Sequence, residues 1–143
     1  MNEIVDVAAA VIKKNNLILV AQRARGEHLE YKWEFPGGKI EPRETPEKCL
    51  QRELEEEFSI IAKADRFIGE NIFHYPDKSI RLMAYEVSWL GGDFVLHVHD
   101  KIDWVAPEAL LEIDLAAADI PIAKIVYEAN TGSIYLNSFI PMK

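Results

Sequence analysis

The stretch from Thr45 to Ile60 constrains this chain most, because it reads as one helix with two incompatible faces. Thr45 is a good N-cap and Pro46 suits the first helical position. Lys48 stands three residues past the cap, so there is no full capping box. Leu50, Leu54 and Phe58 recur at i, i+4 and i+8, an apolar stripe that must face a core. Glu53, Glu56 and Glu57 fall at i, i+3 and i+4 and share one side of the same helix. Between Glu41 and Glu57 there are seven acids and three bases, net −4, which is half of the chain's −8. The pile-up lies near the helix C-terminus, where the macrodipole is also negative, so a compensating cation is called for. Clustered carboxylate oxygens are what Mg²⁺ or Mn²⁺ binds, with phosphate and water completing the shell. The bland alternative is a solvated acidic face. The preceding Trp33-Glu34-Phe35-Pro36-Gly37-Gly38 weighs against it, since glycine lets the backbone approach a ligand or metal closely. Arg52, one turn before Glu56, can hold a carboxylate in place.

The rest of the chain reads as strands around this helix. Ile4 to Ile12 is a strand with burial on both faces, Lys13 to Asn16 a turn, and Leu17 to Ala21 a second strand, forming a hairpin. Arg23 to Lys32 is loop, and Trp33 to Phe35 is a short extended piece stopped by Pro36-Gly37-Gly38. Arg66 to Tyr75 and Ser79 to Trp89 form a second hairpin through Pro76-Asp77-Lys78. Asp103 to Val105 is a short strand and Pro107 to Leu111 a short helix. A last helix begins at Asp119 with Pro121 in its first turn. Ile122, Ile125, Val126 and Ala129 are its buried face, and Thr131-Gly132-Ser133 ends it. The apolar tail through Lys143 is expected to pack on the domain or on a second copy. This order predicts an α/β fold, a mixed sheet with helices on its faces.

Composition narrows the function. At 143 residues the chain is expected to be one domain with a sizeable core. Net charge −8 argues against binding a nucleic acid polymer or an anionic membrane surface, both of which require clustered Lys and Arg. A small phosphorylated ligand stays open, because a metal ion can bridge two sets of negative charge. Cys49 is the single cysteine, so an internal disulfide is impossible, and no Cys/His cluster has zinc spacing. The acidic N-terminal segment lacks the features of a signal peptide, and no apolar run reaches membrane-spanning length. A cytoplasmic location is expected.

Gly38, Glu44, Arg52-Glu53, Leu54, Glu56-Glu57 and Ile60 occupy eight of the nine defined positions of a known signature, and Ser59 stands where that signature has glycine. On these residues the segment resembles the Nudix box, and similarity to the MutT-type branch of that family extends over about residues 1–130. Arg23, His28, the WEFPGGKIEP run, the YPD turn, Trp104-Val105 and Ala118 to Pro121 carry it. The resemblance implies an α/β/α sandwich and Mg²⁺-dependent hydrolysis of a nucleoside triphosphate to the monophosphate and pyrophosphate, with Mn²⁺ as a substitute. CTP, modified dCTP and 8-oxo-dGTP are the implied substrate types. The partner is a small nucleotide, and the chain is a monomer or homodimer. A hydrolase of another nucleoside diphosphate derivative, such as ADP-ribose, and a non-catalytic nucleotide-binding module are the alternatives.

By the same resemblance the cation's ligands are Glu53, Glu56, Glu57 and the Gly38 carbonyl. Glu53 is the general base, with Glu44 as alternative or as the partner that orients Arg52. Arg23, Phe35, Arg81 and Asp119 are the substrate-contacting residues. For each the residues alone leave a plainer role open: a strand-end arginine, a core aromatic, an outward strand arginine, and the N-cap of the last helix. Asp119 as a carboxylate accepts from an amino group such as cytosine N4, which tilts the expectation toward cytidine nucleotides. A glutamate common in the family six residues before the tryptophan is absent, because Val98 stands there. Strand alternation offers Asp100 as a substitute, whereas His28, His74, His97 and His99 read as structural.

Overall fold

A computed structural model describes residues 3–132. The order is β1 (Ile4–Lys14), β2 (Leu17–Gln22), β3 (Trp33–Glu34), β4 (Gly37–Lys39), α1 (Pro46–Phe58), β5 (Ile61–His74), β6 (Ser79–Gly91) and β7 (Lys101–Val105). Two 3₁₀ turns, Pro107–Glu112 and Ala117–Asp119, then lead into α2 (Ile120–Tyr127) and a closing π turn, Glu128–Gly132. The expected tail packing from Ser133 onward lies outside the described residues.

β1 organises the molecule. Its even residues Ala8, Ala10 and Ile12 pack with Leu50, Leu54 and Phe58 of α1. Its odd residues Ala9 and Val11 pack with Leu82, Ala84, Ile122 and Val126 under α2. A strand buried on both faces reads as a near-continuous apolar run, which is why VAAAVI shows no alternation. The mixed sheet follows the order β3-β2-β1-β6-β5, with β4 on β1 and β7 on β2, and β1 runs parallel to β6. With α1 on one face and α2 on the other, the architecture is the α/β/α sandwich.

The opening hairpin is shorter than its sequence implies. Asn15 and Asn16 both take positive φ, 53° and 64°, the backbone of a two-residue hairpin turn. Only Lys13↔Ile18 and Lys14↔Leu17 then pair before the strands part. Into the gap goes the segment from Trp33 to Lys39: β3 pairs with β2, and β4 pairs with β1. Gly37 is needed there because a β-carbon would collide with the Ala8 carbonyl. This wedge sets Glu34, Phe35 and Gly38 between the two halves of the sheet, which positions the site.

Helix α1 forms as its cap predicts, with the Thr45 hydroxyl accepting from Lys48 N–H at 3.1 Å. It ends at Ser59, whose φ of 60° and ψ of 32° are the left-handed geometry usually given to glycine. Two expectations for α2 need correction. Asp119 occupies the N-cap position, but its side chain makes no capping bond. Ala129 is exposed, and Ala123 takes the buried position instead.

Candidate active site

A cleft of about 330 Å³ opens on the α2 side of the sheet where β1 and β2 part. Val7, Ala9, Phe35, Leu82 and Ala118 floor it, and Arg23, Glu34, Gly38, Glu57 and His99 stand around it. Phe35 is buried in the α2-side cluster and also lines the cleft. Trp33, two residues earlier and so on the same face, packs partly buried in the same cluster without lining the cleft.

Asp119 is buried and lines the cleft. Its Oδ2 accepts from the Phe35 backbone N–H at 2.9 Å, which explains why it does not cap α2. Burial pushes its carboxyl up to about 8, with Glu34 adding a smaller push and the Phe35 bond pulling the other way. The 3₁₀ turn that carries it is tied down twice: Ala118 N–H donates to the Tyr75 hydroxyl at 3.2 Å, and Asn71 Nδ2 donates to the Ala118 carbonyl at 3.2 Å.

The acidic end is built from α1. Glu53 lies against Gly38, where any β-carbon would overlap its carboxyl. Glu57 sits beside Glu53, and its Oε1 is buried without a hydrogen-bond partner. Burial, followed by the neighbouring Glu53 and Glu34, pushes the Glu57 carboxyl up to about 9. Arg52 is the local counter-charge. It donates from Nε to Glu44 Oε2 at 2.7 Å, from Nη1 to Glu53 Oε2 at 2.9 Å and Glu56 Oε1 at 3.3 Å, and from Nη2 to Glu44 Oε1 at 2.9 Å. That bidentate fork holds the Glu44 carboxyl down to about 2. Glu56 remains mostly exposed beside this hub, outside the cleft lining. Among the described residues no three metal-ligating side chains already converge into a cage. The donor set nonetheless suits a hard divalent cation: a partnerless buried carboxylate oxygen on Glu57, the Glu53 carboxyl beside it, and a glycine that leaves room for Glu53.

Arg23 lies on the cleft wall, its Nη1 on Glu34 Oε1 at 3.1 Å. Arg81 is not in the cleft. Alternation along β6 gives Leu82 and Ala84 to the α2 side, so Arg81 falls on the opposite face with Met83 and Tyr85, where it pairs with Asp6 of β1 at 3.8 Å. Asp100 does not substitute for a glutamate at position 98 either. Residues 92–100 are loop rather than strand, and Asp100 is exposed with its N–H on the Gln22 carbonyl. The residue that does turn inward is His99, whose side chain is 4% exposed. Glu34 and His99 are the members of the site that sequence reasoning missed. The only available signal was Glu34's place beside Phe35 in the loop before the helix.

The NUDIX domain family model matches residues 3–126. The chain is 36% identical over 120 residues to the CTP pyrophosphohydrolase of Escherichia coli K12, covering 84% of this chain and 89% of that protein. It is 38% identical over 110 residues to the 8-oxo-dGTP diphosphatase of Haemophilus influenzae, covering 76% and 80%. Its fold matches the solution structure of the E. coli ORF135 protein with a TM-score of 0.82 at 33% identity, covering 92% and 94% of the two chains. The fold also matches a MutT protein from Methanosarcina mazei Go1 with a TM-score of 0.82 at 22% identity, covering 91% and 97%. With its signature on α1 and its model match spanning nearly all described residues, the chain belongs to the Nudix family.

Proposed function

We propose that this chain hydrolyses a nucleoside triphosphate to the monophosphate and pyrophosphate with Mg²⁺, Mn²⁺ serving as a substitute, and that it prefers cytidine nucleotides over 8-oxo-dGTP. The observation that carries this is a single cleft lined by Glu57 and Gly38 together with Phe35 and Asp119. The first pair suits a cation and phosphates; the second suits a flat base with polar edge groups. The cytidine preference rests on the likeness to the CTP pyrophosphohydrolase.

Glu53, Glu56, Glu57 and the Gly38 carbonyl would hold the cation, which when bound neutralises the triphosphate and acidifies the attacking water. Glu53 takes the water proton as that oxygen bonds to the β-phosphorus and the bond to the α,β-bridging oxygen breaks. The bridging oxygen leaves with the nucleoside monophosphate, and the β- and γ-phosphates leave as pyrophosphate. Arg52 steadies Glu53 and is itself braced by Glu44. Phe35 offers the base an apolar wall, Asp119 Oδ1 meets its polar edge while Oδ2 stays on Phe35 N–H, and Arg23 supplies a cation for phosphate. The reading carries with it a single domain acting in a cytoplasmic nucleotide pool, as monomer or homodimer.

The test is chromatographic separation of products from CTP, dCTP, 5-methyl-dCTP, dGTP, 8-oxo-dGTP and ADP-ribose after incubation with Mg²⁺. Monophosphate plus pyrophosphate from the cytidine members is expected. Turnover of purines alone would overturn the base preference, and no turnover of any member would overturn the reaction.

A further inference from the structure

His99 stands between Glu34 and Glu57 in the cleft, although neither the Nudix signature nor the four-residue ligand set includes it. Its ring stacks on Phe58 of α1, with centroids 5.1 Å apart and planes 13° from parallel. The loop carrying it is pinned to the end of α1, where Val95 N–H donates to the Phe58 carbonyl at 2.9 Å and His97 N–H to the Glu57 carbonyl at 3.1 Å. A ring so fixed has little freedom to turn. Its Nε2 meets Glu34 Oε2 at 2.8 Å, and Glu34 Oε1 in turn receives Arg23 Nη1 at 3.1 Å. Its Nδ1 faces Glu57 Oε1 at 4.0 Å. Those last two atoms are both buried, and neither has a hydrogen-bond partner. Buried polar atoms are almost always satisfied, so two orphans facing each other mark a contact completed in another state of the site.

We propose that His99 is a positioning residue that couples the cation-holding helix to the nucleotide-contacting arm, orienting Glu57 through Nδ1 and Arg23 through Nε2 and Glu34. The inference rests on the functional reading above and deepens it. Residues behind metal ligands fix ligand orientation, and their loss typically lowers metal affinity about 10- to 100-fold. The geometry gives the two ring nitrogens separable duties. Glutamine reproduces the reach of Nε2 and asparagine that of Nδ1, so His99→Gln keeps the Glu34 arm and His99→Asn keeps the Glu57 arm.

The experiment measures Mn²⁺ binding to the substrate-free protein by electron paramagnetic resonance, together with the KM for CTP and the melting temperature, in wild type and both variants. His99→Gln is expected to bind Mn²⁺ about tenfold more weakly with KM within about twofold of wild type. His99→Asn is expected to raise KM about fivefold or more while Mn²⁺ affinity stays within about twofold. A lowered melting temperature in both variants, with Mn²⁺ affinity and KM unmoved, overturns the inference and leaves His99 as core packing. Should the variants not fold, Glu34→Gln tests the same arm: a raised KM supports the coupling, and an unchanged KM overturns it. A wild type that neither binds Mn²⁺ nor hydrolyses any nucleotide overturns the functional reading and this inference together; a working wild type with unaffected variants overturns the inference alone.

Discussion

Two charged clusters flank Gly38, and they are built in opposite ways. The Arg52 hub gathers Glu44, Glu53, Glu56 and the Lys39 carbonyl from one continuous stretch of chain. Only its Glu56 pair is solvent-exposed, and so screened and weak, whereas the bidentate Arg52–Glu44 pair is part-buried. The Arg23–Glu34–His99–Glu57 chain draws on the end of β2, the wedge between sheet halves, the loop before β7, and α1. Its His99 ring is buried, and the facing His99 Nδ1 and Glu57 Oε1 are buried without partners. The two glutamates at the extremes show the contrast, Glu44 held down to about 2 by a guanidinium and Glu57 pushed up to about 9 by burial and like charge. A local cluster satisfies its charges as it forms. The long-range cluster keeps polar atoms unpaired, which suits a cation that arrives later.

Removing the proposed base should produce the largest effect. Glu53→Gln at saturating Mg²⁺ should lower kcat about 10²- to 10⁴-fold, and a near-normal kcat would move the role to Glu44. Next comes the hub itself. Arg52→Lys keeps the charge and loses the fork, so the Mg²⁺ concentration for half-maximal activity should rise about tenfold; an unchanged Mg²⁺ requirement would make the hub a structural brace only.

The buried cluster also gives a pH signature. The Glu57 carboxyl rises from 4.5 to about 9 and that of Asp119 from 3.8 to about 8, so the folded state keeps protons that the unfolded chain releases. Their contribution is full below pH 4 or so and is lost as pH rises through about 8 to 9. Glu44 works the other way: its contribution is present above 4.5 and lost as pH falls toward about 2. The metal-free protein should therefore melt at falling temperature from about pH 5 to pH 9. Mg²⁺ should flatten that limb by favouring ionised Glu57, and Asp119→Asn should remove part of it. Parallel melting profiles with and without Mg²⁺ would take Glu57 out of the cation site. The smallest effect is at the helix end. Ser59→Gly relieves a left-handed residue and gives up the 2.7 Å Ser59 Oγ–His97 Nε2 contact, so a net gain of about 0.5–1 kcal/mol is expected from chemical denaturation. A loss instead would show that the His97 contact anchors the loop.

What was legible in the chain followed from short-range rules. Thr45-Pro46 and the Leu50, Leu54, Phe58 stripe announced α1 because capping and helical period act within a few residues. The second hairpin showed its turn for the same reason, although β5 starts earlier, at Ile61, than its alternation implied. Its pairing with β6 also carries three register shifts, which blur the period. Arg81 shows where parity stops being enough. Its companions Met83 and Tyr85 were readable from alternation, but which face of β6 meets the cleft depends on where α1 and α2 pack. Asp119 likewise read as a cap, and only the arrival of Phe35 from 84 positions away claimed its carboxylate.

By itself, then, the sequence determined the helix, its acidic face, the glycine-bearing loop before it and the family to which they belong, since each is written in spacings of a few residues. The tertiary structure decided which carboxylates stay buried, that the wedge from Trp33 to Lys39 parts the sheet, and that His99 turns inward while Asp100 turns out. Those outcomes depend on burial and on contacts between segments far apart in the chain. Desolvation, which decides whether a carboxyl keeps its proton, exists only once the chain has closed around it.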